Sequence, residues 1–98
     1  MENSKKGYFT YMLHCSDGSL YTGWTTDVEK RLNIHNAGKG ARYTKSRRPV
    51  SLAAYWSFNT REEAMRFEAQ LKKLPRPQKL SLLASGESSP LSQDGSLP

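Results

Sequence analysis

Apolar and polar positions alternate in the pattern of β-strands in three parts of the chain. Residues 9–15 and 20–25 are rich in aromatic and β-branched side chains, and residues 49–58 carry a third apolar run. Such segments fit the pleated, half-buried surface of a sheet. The Ser-Asp-Gly sequence at residues 16–18 predicts a hairpin turn between the first two strands.

The length of this turn decides which side chains share a face of the hairpin. A two-residue turn would place Tyr11 and Tyr21 on opposite faces. A three-residue turn, with Gly18 in the left-handed conformation, would pair Leu13 with Tyr21 and put both tyrosines on one face. The pattern of apolar positions is compatible with both registers.

Two capping boxes, each a threonine followed three residues later by a glutamate, predict the starts of two helices. Thr26 precedes a helix predicted over residues 27–37, and Thr60 precedes one predicted over residues 61–74. A glycine follows the first helix and two prolines follow the second, and both residue types commonly mark the end of a helix.

The order of strand, strand, helix, strand and helix predicts an α/β fold of the α+β kind, in which helices pack on a mostly antiparallel sheet. Residues 8–84 form one domain in this interpretation, with a basic connection containing one helical turn at residues 38–48 and a short last helix at residues 78–84. Residues 1–7 are expected to be a flexible N-terminus. Residues 85–98, rich in Ser, Gly and Pro, are expected to be a disordered tail.

The composition excludes several classes of protein. The 98 residues are 36% hydrophobic, so the core is small and charged residues that point inward require an explanation. No apolar run approaches the roughly 20 residues of a membrane-spanning helix, and no signal peptide is recognisable. Cys15 is the only cysteine, which excludes an intramolecular disulfide and disfavours a cysteine-built zinc site. The chain is therefore expected in a reducing cytoplasm, away from membranes.

Positive charge is concentrated in the middle of the chain. The net charge is +6, and from Lys30 to Arg61 there are eight basic residues and no acidic residue. Such a patch suits a polyanion, because each phosphate contact releases condensed counterions. The candidate nucleic acid-binding residues are Lys39, Arg42, Tyr43, Lys45, Arg47 and Arg48. The alternative is a solvated basic loop that only keeps the protein soluble.

On the first predicted helix, two cationic residues share the apolar face. Arg31 and His35 are one turn apart and fall on the stripe that Val28 and Leu32 define. An inward arginine is costly unless it meets an anion, so the pair favours a functional site. The alternative is structural, because Arg31 could extend its charged end to solvent and His35 could be a hydrogen-bonded core histidine.

On the second predicted helix, Glu68 interrupts the apolar stripe between Ala64 and Leu71. A carboxylate on such a face must be paired, hydrogen-bonded, protonated or bound to a metal. A structural ion pair, for example with Arg31, would account for it. So would a magnesium site, because Mg²⁺ often takes only one or two protein carboxylates and completes its shell with water and phosphate oxygens.

Together these features resemble the GIY-YIG nuclease superfamily, in particular its small stand-alone bacterial members of unassigned role. The first motif corresponds to residues 9–11 (Phe-Thr-Tyr) and the second to residues 21–23 (Tyr-Thr-Gly), so each motif is only partly kept. The helix that follows carries Arg31 and His35 four residues apart, and a later helix carries Glu68. The resemblance covers nearly the whole predicted domain.

The resemblance implies a three-stranded antiparallel sheet flanked by helices, the GIY-YIG endonuclease fold, with the site on one face of the sheet. That placement requires both tyrosines on one face and therefore favours the three-residue turn. Many active members also carry an asparagine after the glutamate-bearing helix, whereas this chain has no asparagine after Asn59.

The resemblance also implies an activity, that of a metal-dependent endonuclease that hydrolyses nucleic acid phosphodiester bonds in DNA repair or processing. Tyr11 is the candidate general base, helped toward the phenolate by a nearby metal and by Arg31, and Tyr21 would orient Tyr11 or the attacking water. Arg31 would also bind the developing charge, and His35 would hydrogen-bond a tyrosine or move a proton. Glu68 would hold one Mg²⁺ or Mn²⁺.

The implied partner is nucleic acid, with DNA favoured over RNA. A partner protein could supply specificity, because no substrate-targeting domain accompanies the predicted nuclease domain. Two other classes of protein are compatible with the sequence. A non-catalytic DNA- or RNA-binding module on the same fold would use the basic stretch and need no metal, and an interaction domain on a larger repair or processing complex would bind bare DNA weakly.

Overall fold

A computed structural model describes residues 7–84 of the chain, and within them the predicted order of strands and helices is confirmed. The strands are β1 (Tyr8–His14), β2 (Leu20–Thr25) and β3 (Ser51–Phe58). The helices are α1 (Val28–Asn36), α2 (Arg42–Lys45), α3 (Arg61–Lys73) and α4 (Arg76–Ala84). The predicted disordered tail, residues 85–98, and all but the last residue of the predicted flexible N-terminus lie outside the described residues.

The three strands form one antiparallel sheet in the order β2-β1-β3, with β1 at its centre. The predicted fold, a three-stranded antiparallel sheet flanked by helices, is therefore confirmed. The third strand begins at Ser51, two residues later than predicted. The reason is that the side-chain amide of Asn36 bonds both the N–H and the carbonyl of Val50, at 2.7 and 2.9 Å, in place of a strand partner.

The β1–β2 hairpin has the three-residue turn. Leu13 lies opposite Tyr21 in the ladder, and Gly18 has a φ of 88°, in the left-handed region that glycine tolerates. In this register Tyr11 and Tyr21 point to the same face, and their ring centroids lie 6.4 Å apart. The two-residue alternative is thereby excluded.

The first helix begins one residue later than its predicted capping box implies. The carboxylate of Asp27 accepts a hydrogen bond from the backbone N–H of Lys30 at 3.0 Å, so the N-cap is Asp27 and not Thr26. The second capping box is confirmed. Glu63 donates its backbone N–H to the Thr60 hydroxyl at 3.1 Å, and its carboxylate accepts from the Thr60 N–H at 3.3 Å.

The last helix, α4, begins at Arg76 and not at the predicted Gln78. Proline lacks a backbone N–H, but the first turn of a helix leaves its N–H groups without helical partners, so Pro77 fits there. Leu82 and Leu83 of α4 pack at the margin of the core. Within residues 7–84, every helix is too short or too polar to cross a lipid bilayer.

The sheet separates two apolar clusters, because successive residues of a strand point to opposite faces. On one face, Tyr11 and Leu13 pack with residues that include Leu32 of α1. On the other face, Met12 packs with Trp56 of β3 and Leu71 of α3. Helix α3 thus covers the face opposite to the one on which Tyr11 meets α1.

Candidate active site

Tyr11 and His35 form a buried hydrogen-bonded pair. The hydroxyl oxygen of Tyr11 lies 2.8 Å from Nε2 of His35, and the two residues are 3% and 1% exposed. The central strand aims the phenol at the face that α1 covers, and His35 lies in the last turn of that helix. His35 therefore points inward, as the helical spacing predicted.

The other ring nitrogen of His35 is also bonded. Nδ1 lies 2.8 Å from the buried hydroxyl oxygen of Thr44, and that hydroxyl donates to the carbonyl of Ala41 at 3.0 Å. Gly40 lets the ring come this close, because a Cβ at that position would overlap Nδ1. The sequence did not single out Thr44 or Gly40, since the four-residue helix α2 is too short to show a periodic pattern.

Tyr21 completes an aromatic group around the imidazole. Its ring centroid lies 5.2 Å from that of His35 and 6.4 Å from that of Tyr11. It also stacks on Tyr43 at 5.9 Å, with the ring planes 25° apart. The guanidinium of Arg47 lies over the Tyr43 ring, 3.9 Å from the ring centroid, in a cation–π contact. The structure therefore brings the two predicted tyrosines and the predicted histidine together.

Burial and neighbouring charges set the protonation states of the pair. Burial raises the pKa of the Tyr11 phenol, and Tyr21 raises it further. The cation of Arg31 acts against this rise, and the charge of Glu68 adds to it. Burial lowers the pKa of His35, and the Arg31 cation lowers it further. The expected help from Arg31 toward a Tyr11 phenolate is present, but desolvation outweighs it, so a neutral phenol faces a neutral imidazole at neutral pH.

Arg31 and Glu68 interact electrostatically with the Tyr11–His35 pair. Arg31 is half-buried on α1, and its charge acts on both Tyr11 and His35. Glu68 belongs to α3, which covers the opposite face of the sheet, yet its charge reaches the Tyr11 phenol. The side chain of Glu68 is 19% exposed, and its carboxylate lies 3.0 Å from Nζ of Lys72. The structural ion pair considered for Glu68 therefore exists, with Lys72 in place of Arg31.

Some basic side chains of residues 38–48 are hydrogen-bonded within the described part of the protein, and others are exposed without such a bond. The guanidinium of Arg47 donates to the Asp17 carboxylate at 3.0 Å and to the Tyr43 carbonyl at 2.8 Å. That of Arg48 donates to the carbonyl of Lys45 at 2.8 Å. Among the five basic residues of the range 38–48, the exposed side chains of Lys39, Arg42 and Lys45 have no hydrogen bond or ion pair with any other residue of the range 7–84. The two arginines hold the loop in shape, and the other three charges are free to meet phosphates.

The sheet topology, the paired tyrosines and the arginine and histidine of the first helix define a GIY-YIG domain. The sequence matches the GIY-YIG catalytic domain over residues 7–81, and the chain belongs to this family. It is similar to a UPF0213 protein of Streptococcus agalactiae, with 55% identity over 75 residues that cover 76% of this chain and 85% of the relative. A UPF0213 protein of Lactococcus lactis is 58% identical over 77 residues, 78% of this chain and 74% of the relative.

Solved structures show the same fold. The solution NMR structure of the UPF0213 protein BH0048 from Bacillus halodurans is 45% identical, covers 93% of this chain and 96% of its own, and has a TM-score of 0.55. That of the protein EF2693 from E. faecalis is also 45% identical, covers 89% and 92%, and has a TM-score of 0.59. These relatives are small stand-alone bacterial proteins, and their names state no activity.

GIY-YIG nucleases generally use divalent metals, and the residues present fit a site built on one carboxylate. Among residues 7–84, no group of three or more His, Cys, Asp or Glu side chains could enclose a metal ion. Glu68 offers hard oxygen donors and is partly open to solvent. Mg²⁺ and similar cations accept such a site, because water and phosphate oxygens supply the remaining ligands. Lys72 would have to release the carboxylate for this to occur.

Proposed function

We propose that the protein is a divalent-metal-dependent endonuclease that hydrolyses nucleic acid phosphodiester bonds, with DNA favoured over RNA. The observation that carries the proposal is the 2.8 Å hydrogen bond between the Tyr11 hydroxyl and Nε2 of His35, beside Tyr21 and within reach of the Arg31 charge. A hydroxyl next to a neutral imidazole is suited to accept and pass on a proton. The match to the GIY-YIG catalytic domain supports the nuclease activity, and we extend the proposal to a role in DNA repair or processing in the cytoplasm.

The geometry favours a proton relay through Tyr11 to His35 over a Tyr11 that is already a phenolate before the reaction. Burial keeps the Tyr11 phenol protonated and the His35 imidazole neutral. As water attacks the phosphorus, its proton would pass to the Tyr11 oxygen while the phenol's own hydrogen passes to Nε2 of His35. The new P–O bond forms as the bond to the leaving oxygen breaks, and that oxygen takes a proton from solvent. Tyr11 is thus neutral before and after the step, and His35, left as the imidazolium, would return its proton to solvent to complete the turnover.

The other charged residues would act on the phosphate. Arg31 has a planar guanidinium that suits the phosphoryl oxygens, and it is already placed where its charge reaches Tyr11 and His35. Glu68 would hold Mg²⁺ or Mn²⁺, which when bound polarises the phosphate and stabilises the leaving oxygen. Tyr21 would orient the attacking water or the Tyr11 ring, since it contacts both rings of the pair.

The open basic side chains would hold the nucleic acid backbone. Lys39, Arg42 and Lys45 lie on or beside α2, whose Thr44 contacts His35, so a phosphate chain bound there runs next to the pair. Contacts of this kind position the substrate and carry no sequence information. A partner protein that supplies specificity is therefore part of the proposal.

The test is cleavage of a panel of DNA and RNA substrates by the full-length protein with Mg²⁺, Mn²⁺ or EDTA. We expect metal-dependent cleavage that Glu68→Gln abolishes. Glu62→Gln, an exposed substitution in the first turn of the same helix, is the matched control and should leave cleavage unchanged. Loss of the Glu68–Lys72 pair at the surface costs only about 0.3–0.5 kcal/mol, so the variant should fold. Equal cleavage by Glu68→Gln and the parent would show that the assigned site is wrong.

A second candidate is a non-catalytic nucleic acid-binding module on the same fold. The observation in its favour is that Glu68 is paired with Lys72 at 3.0 Å and belongs to the helix on the opposite face of the sheet. This candidate predicts DNA or RNA binding that EDTA does not change, and no cleavage of any substrate in the panel. The same experiment therefore separates the two functions.

A further inference from the structure

A buried chain of hydrogen bonds runs from β1 through α1 to α2. Its three links are 2.8 Å from Tyr11 Oη to His35 Nε2, 2.8 Å from His35 Nδ1 to Thr44 Oγ1, and 3.0 Å from Thr44 Oγ1 to the Ala41 carbonyl. Tyr11, His35 and Thr44 are at most 3% exposed. In the free protein, before a substrate brings water to the Tyr11 oxygen, each hydrogen in the chain must therefore find its acceptor within the protein.

The number of hydrogens fixes the direction of each bond. Thr44 has one hydroxyl hydrogen, and the Ala41 carbonyl can only accept it. Thr44 then accepts from Nδ1–H of His35, and Nε2 accepts from the Tyr11 hydroxyl. In the reverse arrangement Nε2–H would donate to Tyr11, whose own hydrogen would have no acceptor among residues 7–84. Only the first arrangement pairs every buried hydrogen.

We propose that Thr44 is a positioning residue that holds His35 in the Nδ1–H tautomer and so presents an unprotonated Nε2 to Tyr11. The catalytic consequence rests on the function proposed above, because a proton leaving Tyr11 needs that free lone pair. In the other tautomer Nε2 carries a hydrogen and cannot accept one. Thr44 acts through the imidazole, since its hydroxyl bonds His35 and the Ala41 carbonyl and makes no hydrogen bond with the phenol.

Helix α2 holds Thr44 in place although it has only four residues. The Thr44 carbonyl accepts the backbone N–H of Arg47 at 3.0 Å, and the Lys45 carbonyl accepts the Arg48 guanidinium at 2.8 Å. Arg47 is in turn paired with Asp17 in the hairpin turn at 3.0 Å. In this proposal the basic loop has two roles. It fixes the position of the Thr44 hydroxyl, which sets the tautomer of His35, and it forms the candidate nucleic acid-binding surface.

Nitrogen-15 NMR of the full-length chain measures the tautomer without nucleic acid or metal. The chain has two histidines, so the exposed His14 is a reference for the buried His35 in the same spectrum. At a pH of about 8, above the ordinary histidine pKa of about 6.5, we expect a protonated Nδ1 and an unprotonated Nε2 on His35. A protonated Nε2 on His35 of the parent chain would overturn the proposal.

Substitutions at Thr44 separate the hydroxyl from the shape of the side chain. Thr44→Ser keeps the hydroxyl and should keep the Nδ1–H tautomer. Thr44→Val has nearly the same shape without a hydroxyl, and we expect it to populate the Nε2–H tautomer. Unchanged Nδ1–H in Thr44→Val would refute the role of Thr44. If the valine variant does not fold, Gly40→Ala should give the same change, because its Cβ would displace the ring from Thr44.

Cleavage kinetics measure the catalytic consequence. We expect Thr44→Val to lower kcat by about 10²-fold, the lower end of what a positioned acid–base group contributes. KM should change little, and Thr44→Ser should recover most of the loss. A folded Thr44→Val enzyme with parental kcat would refute the catalytic role. The two proposals can fail separately. If the parent chain has the Nδ1–H tautomer but cleaves no nucleic acid, the nuclease proposal is refuted and the tautomer assignment is supported.

Discussion

The phenol of Tyr11 occupies the space that a side chain on Gly23 would fill. The two residues are paired across β1 and β2, and a Cβ on Gly23 would lie 2.6 Å from the Tyr11 hydroxyl oxygen. The glycine of the second motif therefore has a steric role, because it lets the phenol extend to His35.

Gly23→Ala should move the Tyr11 hydroxyl away from His35. We expect cleavage to fall by about 10²-fold or more, since the proton relay would be broken. Overpacking should also lower the free energy of unfolding by about 1–3 kcal/mol. Cleavage assays and urea denaturation measure the two effects. A folded Gly23→Ala variant that cuts at the parental rate would show that the Tyr11–His35 contact is not needed.

Thr22, the neighbouring residue of the same motif, offers a matched control. Its buried side-chain oxygen has no hydrogen-bond partner among residues 7–84. Thr22→Val removes this unpaired hydroxyl at nearly constant volume, so the free energy of unfolding should rise by about 1 kcal/mol. Thr22 pairs with Met12 and faces α3, so cleavage should not change. A less stable variant would show that the hydroxyl has a partner in solution.

Tyr11→Phe should abolish cleavage and leave Nε2 of His35 buried without a partner. That loss should cost about 1–3 kcal/mol of the free energy of unfolding. Tyr55→Phe is the control, because Tyr55 lies opposite Tyr11 in the β1–β3 ladder and on the same face. It should change neither cleavage nor stability by a comparable amount. Parental cleavage by Tyr11→Phe would remove the phenol from the mechanism.

The free energy of unfolding should depend on pH through His35. Burial lowers the pKa of His35 in the folded state, so the unfolded chain binds a proton at a higher pH than the folded chain does. Stability should therefore be highest above the unfolded-state pKa of about 6.5. It should fall as the pH drops below that value, until the folded-state pKa is passed.

Urea denaturation across a pH range of about 5–8 measures this dependence. His35→Gln should flatten it, whereas His14→Gln, at the exposed end of β1, should preserve it. The same slope in His35→Gln as in the parent would assign the dependence to other groups. Cleavage should also be lost at low pH, because a protonated His35 cannot accept the Tyr11 hydrogen.

The open side chains of the basic stretch should dominate its salt-dependent binding. Substituting Lys39, Arg42 and Lys45 together by alanine should weaken DNA binding and reduce the slope of log K against log salt, by about 0.9 for each duplex phosphate that is no longer neutralised. Arg48→Ala is the contrasting variant, because its guanidinium bonds the Lys45 carbonyl and packs against Gly38. It should lower thermal stability more than the salt slope. A triple variant with the parental slope would move the interface elsewhere.

Spacing along the chain predicted the positions of those candidate site residues that lie within one helix. Arg31 and His35 fall on the inner side of α1 because a helix places residues four apart on one face. The apolar pattern left the hairpin register open, and the resemblance to a family selected the three-residue turn that the structure shows. Glu68 was identified from its place in an apolar stripe, and its partner Lys72, one turn along, was within reach of the same reasoning.

The spacing of residues in the sequence could not predict contacts between different helices, strands and loops. Thr44 is nine positions from His35, and the intervening glycines and one-turn helix have no periodicity that would place its hydroxyl on the imidazole. Gly40 is required only because the ring approaches it. Likewise, the Arg48 guanidinium donates to the carbonyls of Lys45 and Asn36 only because the loop folds back on α1 and α2.

Because β1 sends Tyr11 to one side and Met12 to the other, the sheet separates the candidate catalytic residues from the apolar cluster around Met12. Trp56 and Leu71 belong to the cluster behind the sheet, so a substitution at either position would not remove a contact of the Tyr11–His35 pair. Glu68 links the two sides of the sheet, because it belongs to α3 on the far face while its charge raises the pKa of the Tyr11 phenol. Since α3 contributes Leu71 to the apolar cluster and also carries Glu68, any displacement of this helix against the sheet would change the distance between the Glu68 carboxylate and Tyr11.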